Sequence, residues 1–224
     1  MKKTILTLVC AIAALSVSAQ RASSSSSSFF STEKSDEKVT FGVRGGVNFS
    51  NLSIEGEGWD SHTGFHAGVN VDIPLLQSLY LSTGLYYTVK GFSGEETDGE
   101  EKVERKSSAN YLEIPVLASY RYNFSDNAQL QVNVGPYFAY GIGGKQKYTE
   151  EYHSSRGWVI DAEGEQDYFD DEDNKFDVGL QIGAGVTFAK HIYLGLAYEF
   201  GFINVVPDYK TKNSNFMISL GYQF

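Results

Sequence analysis

Cysteine and proline are scarce in this 224-residue chain, which contains one cysteine, four prolines and two tryptophans. The single cysteine, Cys10, excludes an internal disulfide and any cluster of thiolate metal ligands. Beyond the N-terminal segment there is no run of about 20 apolar residues, so the sequence predicts no bundle of membrane-spanning helices. Acidic residues outnumber basic ones, 28 against 18, which argues against a nucleic-acid partner.

The N-terminus has the pattern of a secretory signal. Lys2 and Lys3 precede an apolar stretch, and Val17-Ser18-Ala19 provides a small-residue cleavage site. We expect residues 1–19 to be a signal peptide, and Val9 before Cys10 argues against lipidation of that cysteine. Residues 20–39 begin with a run of six serines after Arg-Ala and are predicted to form a flexible periplasmic leader.

Alternation with a period of two dominates the rest of the chain. From Phe176 to Phe188, apolar residues occupy the even positions, while polar residues and glycines occupy nearly all odd ones. Such a pattern over this length predicts a strand rather than an amphipathic helix. The predicted strands are 40–50, 62–73, 78–90, 109–124, 128–142, 174–188, 191–205 and 213–224. Pro115 and Pro136 lie inside strands, where we expect a bulge or local bend.

Glycine is concentrated on the polar face of these strands. Examples are Gly68, Gly84, Gly183 and Gly195, each of which shares a strand face with charged or amide side chains. Glycine stabilises an exposed strand poorly, but it suits the crowded interior of a narrow barrel. The polar faces are therefore expected to line the lumen, and the apolar faces to meet lipid.

The connections between strands alternate between short and long. Short ones follow strands two, four and six, whereas roughly 51–61, 91–108, 143–173 and 206–212 are predicted as longer loops. The sequence thus predicts an all-β fold: an eight-stranded antiparallel transmembrane up-and-down β-barrel, with short periplasmic turns and long extracellular loops. We expect residues 40–224 to form the barrel. The barrel is expected to lie in the cell outer membrane, with both termini in the periplasm.

Six charged residues fall on the predicted inner face, and we expect them to form a polar network in the lumen. They are Arg44, Asp72, Glu113, Arg121, Asp177 and Glu199. A structural network of ion pairs is the favoured interpretation because unpaired buried charge is costly. A proton or ion path is the alternative, and it requires a continuous wet channel.

The longest loop combines aromatic and acidic residues, which makes it a candidate interaction site. Its aromatic residues are Tyr148, Tyr152, Trp158, Tyr168 and Phe169. They either bind glycan or protein, or they clamp the loop onto itself or extend the barrel as hairpins. The acidic run 170–173 and the acidic residues of loop 91–108 match no EF-hand pattern, so we predict a solvated acidic surface and no metal site or cofactor.

Catalysis requires a nucleophile, a base and an orienting group within hydrogen-bond reach. The chain has four histidines, and His62 and His153 are placed near the outer rim beside common serines and acids. Such trios are expected by chance in this composition. No catalytic residue is therefore assigned, and the protein is predicted not to be an enzyme.

Four motifs of the predicted strands are distinctive. They are the opening 42–50, the string Tyr111-Leu112-Glu113-Ile114-Pro115, Gly135-Pro136-Tyr137-Phe138 and Gly183-Ala184-Gly185-Val186. Together they resemble the PorT-like outer-membrane β-barrel family of the Bacteroidetes. The similarity covers residues 40–224 and implies an eight-stranded outer-membrane barrel. PorT itself is tied to protein secretion by the type IX system, so the resemblance implies secretion-system proteins as partners.

The expected function is a non-catalytic anchor or accessory of the envelope that assists protein secretion. A surface receptor or adhesin acting through the acidic aromatic loops is the alternative, and a lipid-modifying enzyme is a third. Tyr222 and the terminal Phe224 resemble the signal that the barrel-assembly machinery recognises in its clients. The other expected partners are outer-membrane lipid and lipopolysaccharide, with no nucleic acid.

Overall fold

The computed structural model describes residues 35, 37–53, 60–98, 101–154, 157–169, 175–204 and 212–224. The predicted signal peptide, most of the predicted leader and the acidic run 170–173 lie outside these residues. Within the described part, nine antiparallel strands are present: β1 Thr40–Ser53, β2 Asp60–Leu76, β3 Leu79–Asp98, β4 Glu101–Ser125, β5 Ala128–Ser154, β6 Gly157–Asp167, β7 Phe176–Phe188, β8 Ile192–Asn204 and β9 Lys212–Gln223.

Eight of these strands close a ring in the order β1-β2-β3-β4-β5-β7-β8-β9. Closure occurs between the first and last strands, where Arg44 of β1 is opposite Gly68 of β2 on one side and Gly221 of β9 on the other. A closed ring satisfies every strand edge, which a bilayer demands. The predicted eight-stranded antiparallel barrel is confirmed.

β6 lies outside the ring. Among the described strands it pairs only with β5, through residues 145–154 of that strand. Residues 94–98 of β3, 101–109 of β4, 145–154 of β5 and all of β6 form a four-stranded sheet, here called the extension sheet. Regions 91–108 and 143–173 were predicted as loops, but most of their length forms strands. The alternative in which the longest loop extends the barrel as a hairpin is confirmed for β5 and β6. Both faces of a sheet beyond the bilayer are wet, so the apolar alternation that reveals a strand is absent there.

Exposure alternates along the ring strands in the opposite sense to a water-soluble protein. Apolar side chains such as Val132 and Leu196 are 43% and 51% exposed, while the neighbouring Gln131 and Glu199 are fully buried. This arrangement places the apolar band outside and the polar residues in the lumen, as expected for a membrane barrel.

Lumenal glycines make room for large side chains from the same or adjacent strands. A Cβ atom on Gly195 would lie 2.0 Å from the hydroxyl oxygen of Tyr193, and one on Gly185 would lie 2.4 Å from the same ring. Tyr86 occupies the equivalent space beside Gly68 and Gly84. Each tyrosine therefore fills the interior because the positions facing it carry no side chain.

Pro115 and Pro136 interrupt ladders without shifting their register, whereas Pro74 of β2 stands at a register shift against β3. Pairing of β3 with β4 passes from Thr83↔Val116 to Tyr86↔Glu113, and pairing of β4 with β5 passes from Pro115↔Tyr137 to Ala118↔Val134. Of the two expected distortions at Pro115 and Pro136, the bulge is absent, and the local bend stays a prediction. A missing N–H donor removes local pairs, but ladder bonds on both sides hold the same alignment.

The ring has two distinct ends. One, here called the terminal end, carries Thr40, Phe224 and the short turns at 77–78, 126–127 and 189–191; the other, the loop end, carries the extension sheet. In the turn after β7, Ala189 and Lys190 both have positive φ, as a type I′ hairpin requires. His191 N–H donates to Phe188 C=O at 3.0 Å and closes this turn.

No helix among the described residues is long and apolar enough to cross a membrane.

Opposite faces of β7 provide a direct test of the lipid-facing assignment. Leu180→Arg places a guanidinium in the apolar band and is expected to lower the free energy of unfolding by about 2–4 kcal/mol. Gln181→Arg is expected to cost less because the lumen contains carboxylates that pair with it. Urea titration of the protein folded into lipid vesicles measures both, and equal tolerance of the two substitutions would contradict the assignment.

Candidate functional site

A buried ion cluster occupies the lumen near the terminal end. Asp72 is fully buried, and its Oδ2 lies 2.7 Å from Arg121 Nη2 and 3.6 Å from Arg44 Nη2. Ser82 Oγ donates to Asp72 Oδ1, and Gln223 Nε2 donates to Asp72 Oδ2 at 2.8 Å. One carboxylate thus holds five strands together, since Asp72 is on β2 and its partners are on β1, β3, β4 and β9.

Tyrosine rings cover both guanidinium groups of this cluster. The Arg44 guanidinium carbon lies 4.1 Å from the centre of the Tyr193 ring, and that of Arg121 lies 4.1 Å from the Tyr80 ring. Tyr80 Oη donates a hydrogen bond to Glu37, which precedes β1. Stacking on aromatic faces supports buried guanidinium groups that have only one carboxylate between them.

A second buried cluster surrounds Lys90 in the half of the lumen nearer the loop end. Lys90 Nζ lies 2.7 Å from Glu113, 2.8 Å from Glu199 and 4.0 Å from Asp177. The ammonium also lies 4.5 Å from the centre of the Tyr137 ring. Four strands, β3, β4, β7 and β8, contribute these charges.

Amide and hydroxyl donors complete the Lys90 cluster. Asn215 Nδ2 donates to Glu199 at 3.0 Å, and Asn213 Nδ2 donates to Asp177 at 3.0 Å. Tyr137 Oη donates to Asp177 at 3.2 Å. The six predicted lumenal charges are thus divided between two clusters, and Lys90, which sequence reasoning missed, is the centre of one of them. Its position was readable, because Tyr86, Thr88 and Lys90 share one face of β3.

Between the two clusters, His66 links Asn48 to Ser219. His66 Nδ1 lies 2.6 Å from Asn48 Oδ1, and Nε2 lies 2.9 Å from Ser219 Oγ. Asn48 Nδ2 donates to Val89 C=O, so its Oδ1 accepts from His66 Nδ1–H, and Nε2 is left to accept the Ser219 hydroxyl. The order of groups resembles a serine–histidine–amide triad.

The surroundings of His66 do not suit acyl transfer. A cavity of about 50 Å³ adjoins His66 and Ser219, a volume that accommodates a few water molecules. Gly46, beside this chain of hydrogen bonds, pairs with both β2 and β9, so the barrel wall has no spare amide donors there for an oxyanion. We interpret the His66 chain as part of the lumenal packing.

Tyr168 and Phe169 fold back over the lumen at the loop end. Phe169 lies edge-on to Tyr111, with ring centres 5.7 Å apart, and its ring occupies the space above Gly141. Tyr168 N–H donates to Gly144 C=O at 3.1 Å. Together they pack on the buried group formed by Ala109, Tyr111, Tyr137 and Ala139. Two of the five predicted interaction aromatics therefore form an aromatic cap above the Lys90 cluster.

The other predicted aromatics belong to the extension sheet. Tyr148 on β5 lies against Gly164 of β6, so its ring covers the neighbouring strand. Tyr152 is 43% exposed, and the backbone of Trp158 pairs with that of His153, whereas the side chain of Trp158 lies outside the described part. Exposed ion pairs also mark this sheet: the hydrogen bond from Lys145 lowers the pKa of Glu165.

Histidine side chains elsewhere in the described part form no recognisable catalytic group. His62 C=O accepts a hydrogen bond from Ser50, and His191 stacks on Tyr222 at the terminal end with ring centres 5.3 Å apart. The described residues contain no group of three or more His, Cys, Asp or Glu side chains arranged to hold a metal ion.

A closed antiparallel ring with an apolar outer band and a charged lumen defines a membrane β-barrel. The chain belongs to the family described as outer membrane protein beta-barrel domain, whose model matches residues 19–206. No curated protein matches its sequence.

Solved structures similar in fold include two outer-membrane proteins. One is Ail, the attachment invasion locus protein of Yersinia pestis, with 14% identity, 84% of this chain and 100% of that chain covered, and a TM-score of 0.41. Another is OprG from Pseudomonas aeruginosa, with 14% identity, 86% and 97% covered, and a TM-score of 0.37.

The terminal-end cluster predicts a large difference between buried and exposed carboxylates. Asp72→Asn leaves two buried guanidinium groups without their counter-charge and is expected to lower the free energy of unfolding by about 3–5 kcal/mol. Glu165→Gln removes an exposed ion pair on the extension sheet and is expected to cause no measurable change in the free energy of unfolding. Urea titration in lipid vesicles compares the two, and a similar effect of both would contradict the role given to Asp72.

Proposed function

We propose that the protein is a non-catalytic outer-membrane anchor that presents the extension sheet to a protein partner outside the barrel. The observation that carries this proposal is the extension sheet itself, because it projects four strands beyond the ring. The packed lumen supports the same proposal. With side chains filling the interior, the two ends are the surfaces left for function.

The outer edge of β6 is well suited to binding an extended segment. Among the described strands, β6 has a neighbour on one side only, which is β5. Exposed sheet edges bind peptides by strand addition, with backbone hydrogen bonds supplying affinity. Val159 and Ile160 on β6 are 40% and 58% exposed and provide apolar contacts.

Charge indicates the chemistry of the partner. Glu163, Glu165 and Asp167 follow these apolar residues on β6 and are exposed. Acidic residues also exceed basic ones in the sequence of the connected region 143–173. An extended protein segment carrying lysine or arginine is thus the complementary partner, and charge complementarity speeds its association.

A shortened β5–β6 hairpin tests the proposal. Thr149 pairs with Glu163, so residues 150–162 are replaceable by an Asn-Gly turn that preserves the lower part of both strands. We expect this variant to fold but to lose the partner recovered by crosslinking in the native outer membrane and mass spectrometry. The matched control replaces residues 21–38 by a Gly/Ser sequence of equal length and is expected to retain the partner.

A second candidate function is a PorT-like accessory in protein secretion, and the open mouth of the terminal end favours it. The terminal end has an open cavity of about 880 Å³ lined by Glu37, Arg121, Asp126 and Lys190 among others, and Phe224 lies at its rim. This mouth offers charged groups of both signs to a periplasmic protein. The leader variant would then lose the partner, and the shortened hairpin would retain it. This result would overturn the proposal that the extension sheet binds the partner, in favour of the secretion accessory.

Recognition by the barrel-assembly machinery is proposed for Tyr222 and Phe224. Phe224 is 71% exposed, its ring lies edge-on to Tyr222, and its N–H donates to Phe41 C=O. Deletion of Phe224 removes one backbone hydrogen bond from the finished barrel, but it removes the terminal aromatic residue of the signal from the unfolded client. We expect a marked fall in folded protein in the membrane with little loss of stability in vesicles. Unchanged membrane levels would argue against the signal.

A further inference from the structure

The Lys90 cluster contains more negative than positive charge. One ammonium group faces three carboxyl groups, Glu113, Asp177 and Glu199, and all four side chains are at most 4% exposed. The other polar groups facing this level are Asn48, His66, Tyr111, Tyr137, Asn213 and Asn215, from β1, β2, β4, β5 and β9. Arg44 lines the same small cavity as Glu113 and is paired with Asp72. With all three carboxyl groups ionised and Lys90 charged, the cluster would have a net charge of −2, with a cavity for a few water molecules beside Glu113.

Buried carboxylates that share a site do not all ionise. Desolvation and mutual repulsion favour a proton on one of them, because the uncharged acid removes both costs. A proton bound by one of these carboxyl groups therefore stabilises the Lys90 cluster.

The contacts around Lys90 identify where that proton is held. Glu113 Oε2 and Glu199 Oε2 lie against the same ammonium, 2.7 Å and 2.8 Å from Lys90 Nζ. Glu199 Oε1 is buried and has no hydrogen-bond partner among the described residues. A carboxylate oxygen accepts and never donates, so this buried oxygen needs a donor, and a carboxyl proton on Glu113, which contacts the same ammonium, would supply one.

Asp177 lies farther from the shared ammonium, 4.0 Å from Lys90 Nζ, and is not part of this pair. Its Oδ2 accepts from Tyr137 Oη and Asn213 Nδ2, whereas its Oδ1 has no hydrogen-bond partner among the described residues. Glu199 contacts Lys90 at 2.8 Å and also accepts from Asn215 Nδ2 at 3.0 Å. Glu113 contacts Lys90 at 2.7 Å and has no such amide donor in the described part of the chain, which favours it as the acid of the pair.

We propose that Glu113 and Glu199 form a buried proton-binding site, in which the Glu113 carboxylic acid donates to the Glu199 carboxylate at neutral pH. The site lies beneath the aromatic cap of Tyr168 and Phe169. The bound ligand is a single proton taken up when the barrel folds.

Infrared spectroscopy of the full-length protein in lipid at neutral pH detects such an acid directly. We expect a carbonyl stretch of a protonated carboxylic acid that shifts in D₂O, disappears in Glu113→Gln and persists in the exposed control Glu163→Gln. Glu113→Gln is expected to fold, because its amide N–H donates to Glu199 as the acid does. Absence of the band in the unmodified protein overturns the proposal, including the case in which a small metal cation neutralises the cluster.

Proton linkage gives a second readout. The folded state binds one proton that the unfolded chain releases at neutral pH, so the folding equilibrium constant of the unmodified protein falls relative to that of Glu113→Gln by about tenfold per pH unit. Equal pH dependence of the two proteins around neutral pH would overturn the proposal. The pH dependence of folding does not involve partner binding at the extension sheet. Failure of the proton-binding proposal would therefore leave the proposed function of the extension sheet untouched.

Discussion

The structure depends on the narrowness of an eight-stranded ring. Its interior has room for side chains and little else, so each inward position must be matched in size to its neighbours across the lumen. Gly185 and Gly195 beside Tyr193, and Gly68 and Gly84 beside Tyr86, show this match. The glycines and the tyrosines of the inner face therefore complement each other in size. The apolar outer band follows from the alternation of side chains along the same strands.

The same narrowness governs the charges. Near the terminal end, two guanidinium groups share Asp72, whereas nearer the loop end three carboxyl groups share Lys90. The two clusters are separated by the neutral chain of Asn48, His66 and Ser219. Charges held by several strands at once connect the wall across its interior, and this connection explains why function is assigned to the ends of the barrel.

Sequence reasoning succeeded where a strand has two different environments. Along β7 the lipid and the lumen impose opposite polarity, so Leu180 and Gln181 were placed on their correct faces. It failed for β6 and the upper parts of β3, β4 and β5, because water contacts both faces of the extension sheet and no alternation develops. Lys90 was missed because the predicted strand ended at it. Contacts across the lumen, such as Glu113 with Glu199, depend on the register of nonadjacent strands, which alternation does not determine.

Packed side chains close the lumen, and on this closure rests the proposal that the barrel is an anchor rather than a pore. Conductance of the purified, folded protein in planar lipid bilayers tests the closure most directly. We expect no discrete current steps over a wide range of voltage. Reproducible steps of uniform size, increasing in number with the amount of protein inserted, would show a continuous wet path past Asp72 and Lys90 and would contradict it.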